Sequence, residues 1–370
     1  MRDKRQSAQA LGYIPLNFAM ADRIQNRRAK ARSWGRVALR VLFLAVAAVT
    51  LYFLFPRLVE LFQEAPQLEG VRWRWFMLMF ALTTGAFAAQ WELTRIAVPG
   101  ISWFVSATSQ LTANAMTKVT PGGPIVAGAV YFQMLSVSGV PMGQTAAALA
   151  AVSFLSTMVL FALPGVAVVT AALSAPIPRG LLPVAVAGTA LFLIMLGAAV
   201  VLIRFDRPLR GIGWVIERIA RWASLRLNRD WKVTADDVVA RRDEVIEALG
   251  ARWWKAIAMA VLNWLLDYLT LVVALLAVGA RPRASLVLLA FGAAAVLGMI
   301  PITPGGLGFV EVGLTGILTV SGVPADAAAL ATLAYRLFQF WLPIPAGLVA
   351  YLLFRRRYGK LSELPVAGSA

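Results

Sequence analysis

An all-α, polytopic membrane bundle built from two inverted repeats is the fold this chain predicts, and three observations predict it. First, 60% of its 370 residues are apolar and only 14% are charged, a balance that no single water-soluble core accommodates. Second, a signature recurs: Thr120-Pro121-Gly122-Gly123 and Thr303-Pro304-Gly305-Gly306 each break a long apolar stretch. Third, the residues after each break also recur at a constant offset, since Ser138-Gly139-Val140-Pro141 answers to Ser321-Gly322-Val323-Pro324. After a two-residue slip, 146–150 matches 327–331 and Pro164 falls on Pro345. Helix breakers at corresponding positions of two halves point to a central binding site.

Along the chain, the first 36 residues carry nine Lys/Arg and precede an apolar run at 37–55. That run reads as an uncleaved start-transfer anchor, because its end is bulky and offers no small-residue cleavage site. Further spans are expected at about 75–93, 143–173, 181–203, 253–279 and 326–354. Each has roughly 18 residues or more, enough to cross about 30 Å of hydrocarbon. Eleven Lys/Arg lie within 204–252, and Arg355, Arg356, Arg357 and Lys360 follow the last span. The positive-inside rule makes these segments and both termini cytoplasmic, in a cell membrane. The domain plan is therefore a basic segment at 1–36, a transmembrane domain at 37–357 and a tail at 358–370. Repeat one covers about 75–173, the cytoplasmic connector about 204–252, and repeat two about 253–354.

The regions 101–139 and 284–322 are expected to be helical hairpins that enter from opposite sides. Ser106, Thr108, Ser109, Gln110, Thr112, Asn114, Thr117 and Lys118 crowd the first arm of the first hairpin. That content suits a water-filled cavity better than lipid, and favours a hairpin that turns back. Proline ends the donor ladder and glycine accepts positive φ, so a new helix starts within a few residues, with free N–H groups near 124–127 and 307–310. Such N-termini attract anions, phosphate above all. A tight hairpin without a ligand is the other reading.

Four ionisable residues fall inside the predicted membrane segments: Lys118, Asp267, Glu311 and Arg336. Each costs about 2.5–3.5 kcal/mol there unless paired or hydrated. Glu311 and Arg336 are expected to face each other, either as a gate or headgroup site or as a pair that fixes packing. Lys118, just before the first break, is the candidate phosphate contact, with snorkelling to the interface as the alternative. Asp267 shares a helix face with Asn263, and Gln133, Tyr335 and Gln339 are polar neighbours. The candidate substrate-binding set is Lys118, Thr120, Gly122, Gly123, Asp267, Thr303, Gly305, Gly306, Glu311, Tyr335 and Arg336.

Zero Cys and zero His remove disulfides, thiolate metal sites and the usual general base, and no phosphate loop or catalytic triad is present. No cofactor or metal is expected. The net charge of +17 sorts to one side of a membrane, so nucleic acid is not the expected partner. In the connector, aromatic and aliphatic residues interleave with Arg over 210–227, the composition of an interfacial amphipathic helix on anionic lipid.

The segment from Pro304 to Glu311, then Ser321-Gly322-Val323-Pro324, then Tyr335-Arg336-Leu337-Phe338-Gln339-Phe340-Trp341-Leu342-Pro343, resembles the lysylphosphatidylglycerol synthase transmembrane, or flippase-like, family. The resemblance covers about 37–357 and is most specific over its last 60 residues. It implies a membrane protein that moves a lipid or a lipid-linked sugar between leaflets. Longer relatives carry an aminoacyl-transferase domain after the membrane domain; this chain stops about a dozen residues past its last basic cluster, so lipid aminoacylation is not expected. The first repeat departs from the family pattern of Gly, an acidic residue and Arg after the break, having Pro124-Ile125-Val126-Ala127-Gly128-Ala129 instead.

The reading is thus a flippase or scramblase for an anionic phospholipid or a polyprenyl-phosphate-linked lipid, and not an enzyme. The alternatives are a membrane scaffold for a separately encoded synthase or glycosyltransferase, or a lipid transferase with Asp267 or Glu311 as base. An oligomer is compatible with either.

Overall fold

A computed structural model describes residues 73–120, 122–174, 250–299 and 303–359, with scattered positions between 186 and 243. The segment 1–36, the 37–55 anchor, most of the 181–203 span and of the 204–252 connector, and the tail from 360 lie outside the described residues. Every contact described belongs to the unit Leu61–Ala370.

The described chain is helical throughout. In the first half, α1 is Trp73–Ala97, α2 Trp103–Val119, α3 Gly123–Val137 and α4 Met142–Ser174. In the second, α5 is Trp253–Ala277, α6 Ala284–Gly298, α7 Phe309–Val320, α8 Ala325–Arg336 and α9 Pro343–Tyr358. A 3₁₀ turn at Pro304–Gly306 lies between α6 and α7, and a π-helical segment at Leu337–Trp341 joins α8 to α9.

The start and stop signals act locally as the chemistry requires. α1 stops before Pro99, whose ring disfavours helical backbone in the preceding residue. Ser102 caps α2, its hydroxyl accepting from the Val105 N–H. The two Ser-Gly-Val-Pro copies fold alike. In each, glycine takes a positive φ (97° at Gly139, 93° at Gly322) and the next valine N–H reaches back to a helix carbonyl, Val140 to Leu135 and Val323 to Leu318. This is a Schellman-type ending. Each proline then opens the next helix, its carbonyl accepting from Thr145 N–H or Ala328 N–H.

Among the described residues, three helices are long and apolar enough to cross a membrane: Met142–Ala167, Trp253–Ala277 and Ala325–Tyr358. The chain is an integral membrane protein. α1 has 25 residues, so its length of about 37 Å would suffice, but it carries Thr83, Gln90 and the Glu92–Arg95 pair and is less apolar than those three. Exposed Phe80, Leu262, Leu265, Leu348, Val349 and Leu352 give the bundle the apolar exterior that lipid requires.

Packing between the halves is reciprocal. The first helices, α1 and α5, pack on each other; the first hairpin arm, α2, packs on α9; and its counterpart α6 packs on α4. Each pair is antiparallel. Asn263 Nδ2 donates to Ala86 O while Ile96 clusters with Ala256 and Ala260. Thr112 Oγ1 donates to Gly347 O while Arg357 lies over the Phe104 ring. Gly292 abuts Pro164 while Leu286 and Leu289 meet Ala167. Pro345, the counterpart of Pro164, lines a hollow with Thr108 and Leu111 of α2, so each half sets a helix-interior proline against the other half's hairpin arm.

Candidate functional site

The two breaks meet. At Gly305 φ is 59°, and a Cβ there would lie 3.1 Å from the Lys118 Cα and drive into the Phe340 ring. Only glycine satisfies both the left-handed backbone and this approach. At the first break Gly122 has φ 68°, and a Cβ on Gly123 would collide with the Thr117 carbonyl. The two threonines close their turns: Thr120 Oγ1 donates to Met116 O at 2.6 Å, and Thr303 Oγ1 to Leu307 O at 2.9 Å. Gly306, with φ 71°, packs beside Val310 and Gly298.

Around this junction sits the charge. Arg336 Nε donates to Glu311 Oε1 at 2.6 Å, so the expected pair forms, with side chains only 9% and 17% exposed. Arg336 Nη2 also donates to Gly305 O at 3.2 Å, and the guanidinium lies over the Phe340 ring, 4.4 Å from its centre. Lys118 Nζ lies 5.8 Å from the same ring and donates to the Gln339 backbone carbonyl. That carbonyl is free for a local reason. Its α-helical partner would be the N–H of residue 343, which is proline, and the turn has widened so that Leu342 N bonds Leu337 O. Such π turns inside helices occur frequently at functional sites.

The helix N-termini depart from the sequence expectation. At α3 Pro124, Ile125 and Val126 are exposed, and Ile125 N–H already bonds Gly122 O. At α7 the first turn carries its own anion, Glu311, whose charge opposes a second one there. The polar first arm also departs. Ser106, Thr108, Ser109 and Thr112 are buried with their hydroxyls turned onto backbone carbonyls of Trp91, Phe104, Val105 and Thr108. Small hydroxyls satisfy themselves on a helix, so they need no water-filled space. Gln110 and Asn114 of that arm line a polar cavity.

This cavity, of about 210 Å³, lies among α1, α2, α4, α5 and the π segment, and it is lined by Gln90, Gln110, Asn114, Asn263, Asp267 and Gln339, with Phe87 and Trp264. Asp267 Oδ1 accepts from Tyr335 OH at 3.1 Å, and the Gln339 side chain bonds Asp267 as well. Gln110 Oε1 accepts from Trp91 Nε1 at 3.1 Å. Gln90 Oε1 and Asn114 Oδ1 are buried without a partner, as is Glu311 Oε2 at the ion pair. Lys118, Glu311 and Arg336 do not line the cavity; Gln339 connects them to it, its side chain on Asp267 and its carbonyl on Lys118. Gln133 is exposed on α3 and is not among the lining residues.

Sequence reasoning missed Gln90, Phe340 and the Gln339 carbonyl. Pro343 and Pro345 in register carried a signal for the last, since each leaves a helix carbonyl without its donor.

Fold and site together define a class: an all-helical integral membrane protein whose two glycine-rich breaks converge on a buried ion pair beside a polar cavity. The chain belongs to the family described as the lysylphosphatidylglycerol synthase TM region, whose sequence profile matches residues 37–347. It is similar to proteins of Methanothermobacter thermautotrophicus called UPF0104 membrane protein, one 32% identical over 91 residues, another 32% identical over 94 and a third 31% identical over 98. The matches cover 25–26% of this chain and 27–29% of those relatives, so the chain spans less than a third of the length of the curated relatives it matches. No solved structure matches it.

Proposed function

We propose that this protein moves a lipid with an anionic headgroup, an anionic phospholipid or a polyprenyl-phosphate-linked lipid, between the leaflets of the cell membrane. The observation that carries the reading is the meeting of the two breaks, with Gly305 against Lys118 and the cations of Lys118 and Arg336 sharing Phe340. Irregular backbone and buried charge at membrane depth are costly, and they persist where they serve a pathway.

In this reading the halves are inverted repeats. The reciprocal, antiparallel pairing of α1 with α5, α2 with α9 and α6 with α4 supports that arrangement. The hairpin arms have 17, 15, 15 and 12 residues, or about 18–26 Å of helix, which supports hairpins that turn back within about 30 Å of hydrocarbon. Arg95, Arg252 and Lys255 gather around one hollow, and Arg357 lies over Phe104 at the start of α2. They form a basic collar consistent with a cytoplasmic face and cytoplasmic termini.

Lys118 takes the headgroup phosphate by exchanging the neutral Gln339 carbonyl for a charged acceptor, which makes the stronger bond. The first break, shaped by Thr120, Gly122 and Gly123, is the anion side, because Glu311 already occupies the second. Thr303, Gly305 and Gly306 shape the opposing wall; Arg336 balances Glu311, and Asp267 with Tyr335 orients what enters the cavity. A separately encoded synthase or glycosyltransferase would supply or use the lipid.

The test is headgroup-resolved translocation in proteoliposomes. Wild type is expected to move an anionic lipid, and folded Lys118→Ala to lose at least about tenfold of the rate. No translocation of any phospholipid or polyprenyl-phosphate carrier by folded wild type would sink the reading and favour a scaffold.

A further inference from the structure

The cavity beside the breaks is not built for phosphate. Among the described residues no Lys or Arg lines it, Asp267 is the one charged residue on its wall, and five carboxamides share that wall. Two of those amides, Gln90 and Asn114, hold a buried oxygen without a partner. Each of these oxygens can accept a hydrogen bond from a donor that enters the cavity. Carboxamides offer paired donor and acceptor atoms, which match adjacent hydroxyls, and Phe87 and Trp264 add flat apolar faces on the same wall. The volume of about 210 Å³ equals roughly seven waters at about 30 Å³ each, the size of a glycerol with its hydration or of one sugar ring.

We propose that this cavity binds the uncharged, hydroxyl-bearing part of the headgroup, a polyol of glycerol to single-sugar size, while the phosphate lies at Lys118. The inference rests on the transport reading above and adds the substrate's chemistry to it. Gln339 makes the two subsites contiguous, since its side chain lines the cavity and its carbonyl holds the Lys118 ammonium. Asp267, already bonded by Tyr335 and Gln339, accepts a further hydroxyl on its remaining lone pairs.

The experiment measures binding, not transport. Purified full-length protein in detergent is titrated with short-chain phosphatidylglycerol, phosphatidylinositol, phosphatidylmethanol and phosphatidylethanol, four lipids of equal headgroup charge, and occupancy is read by native mass spectrometry. The two polyol lipids are expected to bind about tenfold more tightly than the two hydroxyl-free lipids. Asn114→Leu and Gln90→Met should each erase that preference without lowering the melting temperature, because each removes an unpartnered buried polar atom. Equal binding of all four lipids, phosphatidylmethanol binding as tight as phosphatidylglycerol, or selectivity retained in both variants would overturn the proposal. Translocation measured alongside separates the two readings. Selective binding without translocation fails the transport reading alone, and translocation blind to hydroxyls in wild type and variants fails the polyol site alone.

Discussion

Arg336→Met removes three interactions at once: the 2.6 Å bond to Glu311, the 3.2 Å bond to Gly305 O and the stacking on Phe340 at 4.4 Å. The dominant effect is on what remains. Glu311 is left with no counter-charge, only 17% exposed, and with Oε2 already unpartnered. Breaking one side of a buried pair costs about 3–5 kcal/mol, which at about 2–4 °C per kcal/mol lowers the melting temperature by roughly 6–20 °C. Glu311→Leu should cost a similar amount by stranding the guanidinium. The double variant restores neutrality and is expected to recover much of the loss, so that it is less destabilised than either single variant and the pair is strongly non-additive. It stays somewhat below wild type, because the Gly305 bond and the ring contact are still missing. Thermal unfolding of the four proteins in one detergent, followed by size-exclusion chromatography, measures the cycle. A single variant that melts with wild type, or a double variant less stable than both singles, would refute the argument from an uncompensated buried charge. Translocation by the stable double variant then separates roles: retained activity makes the pair a packing device, and lost activity makes it part of the moving site.

Gly305→Ala combines a left-handed backbone with a collision against Phe340 and Lys118 and should destabilise by about 2–5 kcal/mol. Gly308→Ala, with φ 79° but open space around it, should cost only about 1–2 kcal/mol; equal melting shifts would contradict the close meeting of the breaks. Gly347→Leu places a side chain against the Leu111 carbonyl and Ala115, separating α2 from α9, and is expected to abolish the monodisperse elution peak, where Gly316→Leu, in open space, should not. Pro343→Ala returns an N–H aimed at the Gln339 carbonyl. Competition for that acceptor should release Lys118 and raise its modification rate by an amine-selective reagent several-fold, and an unchanged rate would refute the role given to the proline.

Much was legible in the residues alone. Composition gave the membrane class, and the repeated Thr-Pro-Gly-Gly and Ser-Gly-Val-Pro tetrapeptides gave the breaks and helix ends, because proline and glycine act through their own backbone chemistry wherever they stand. The Glu311–Arg336 pair was legible too, since a buried charge must find an opposite one. The contents of the cavity were not. Gln110 and Asn114 looked no different in sequence from Thr108 and Thr112, yet the hydroxyls fold back onto their own helix while the longer amides line the polar cavity. Nor did the sequence reveal that Lys118 would hold the Gln339 carbonyl, although Pro343 freed it.

Where helices begin, break and end, and that the protein belongs in a membrane, are thus written in the chain itself, because those properties come from local backbone chemistry and from summed transfer energies. Which break touches which, that α2 lies against α9 and α6 against α4, and which polar groups share one cavity emerged only on folding. Those contacts join residues from opposite halves of the chain, and their geometry depends on how closely particular helices approach at glycine, a distance that no local pattern encodes.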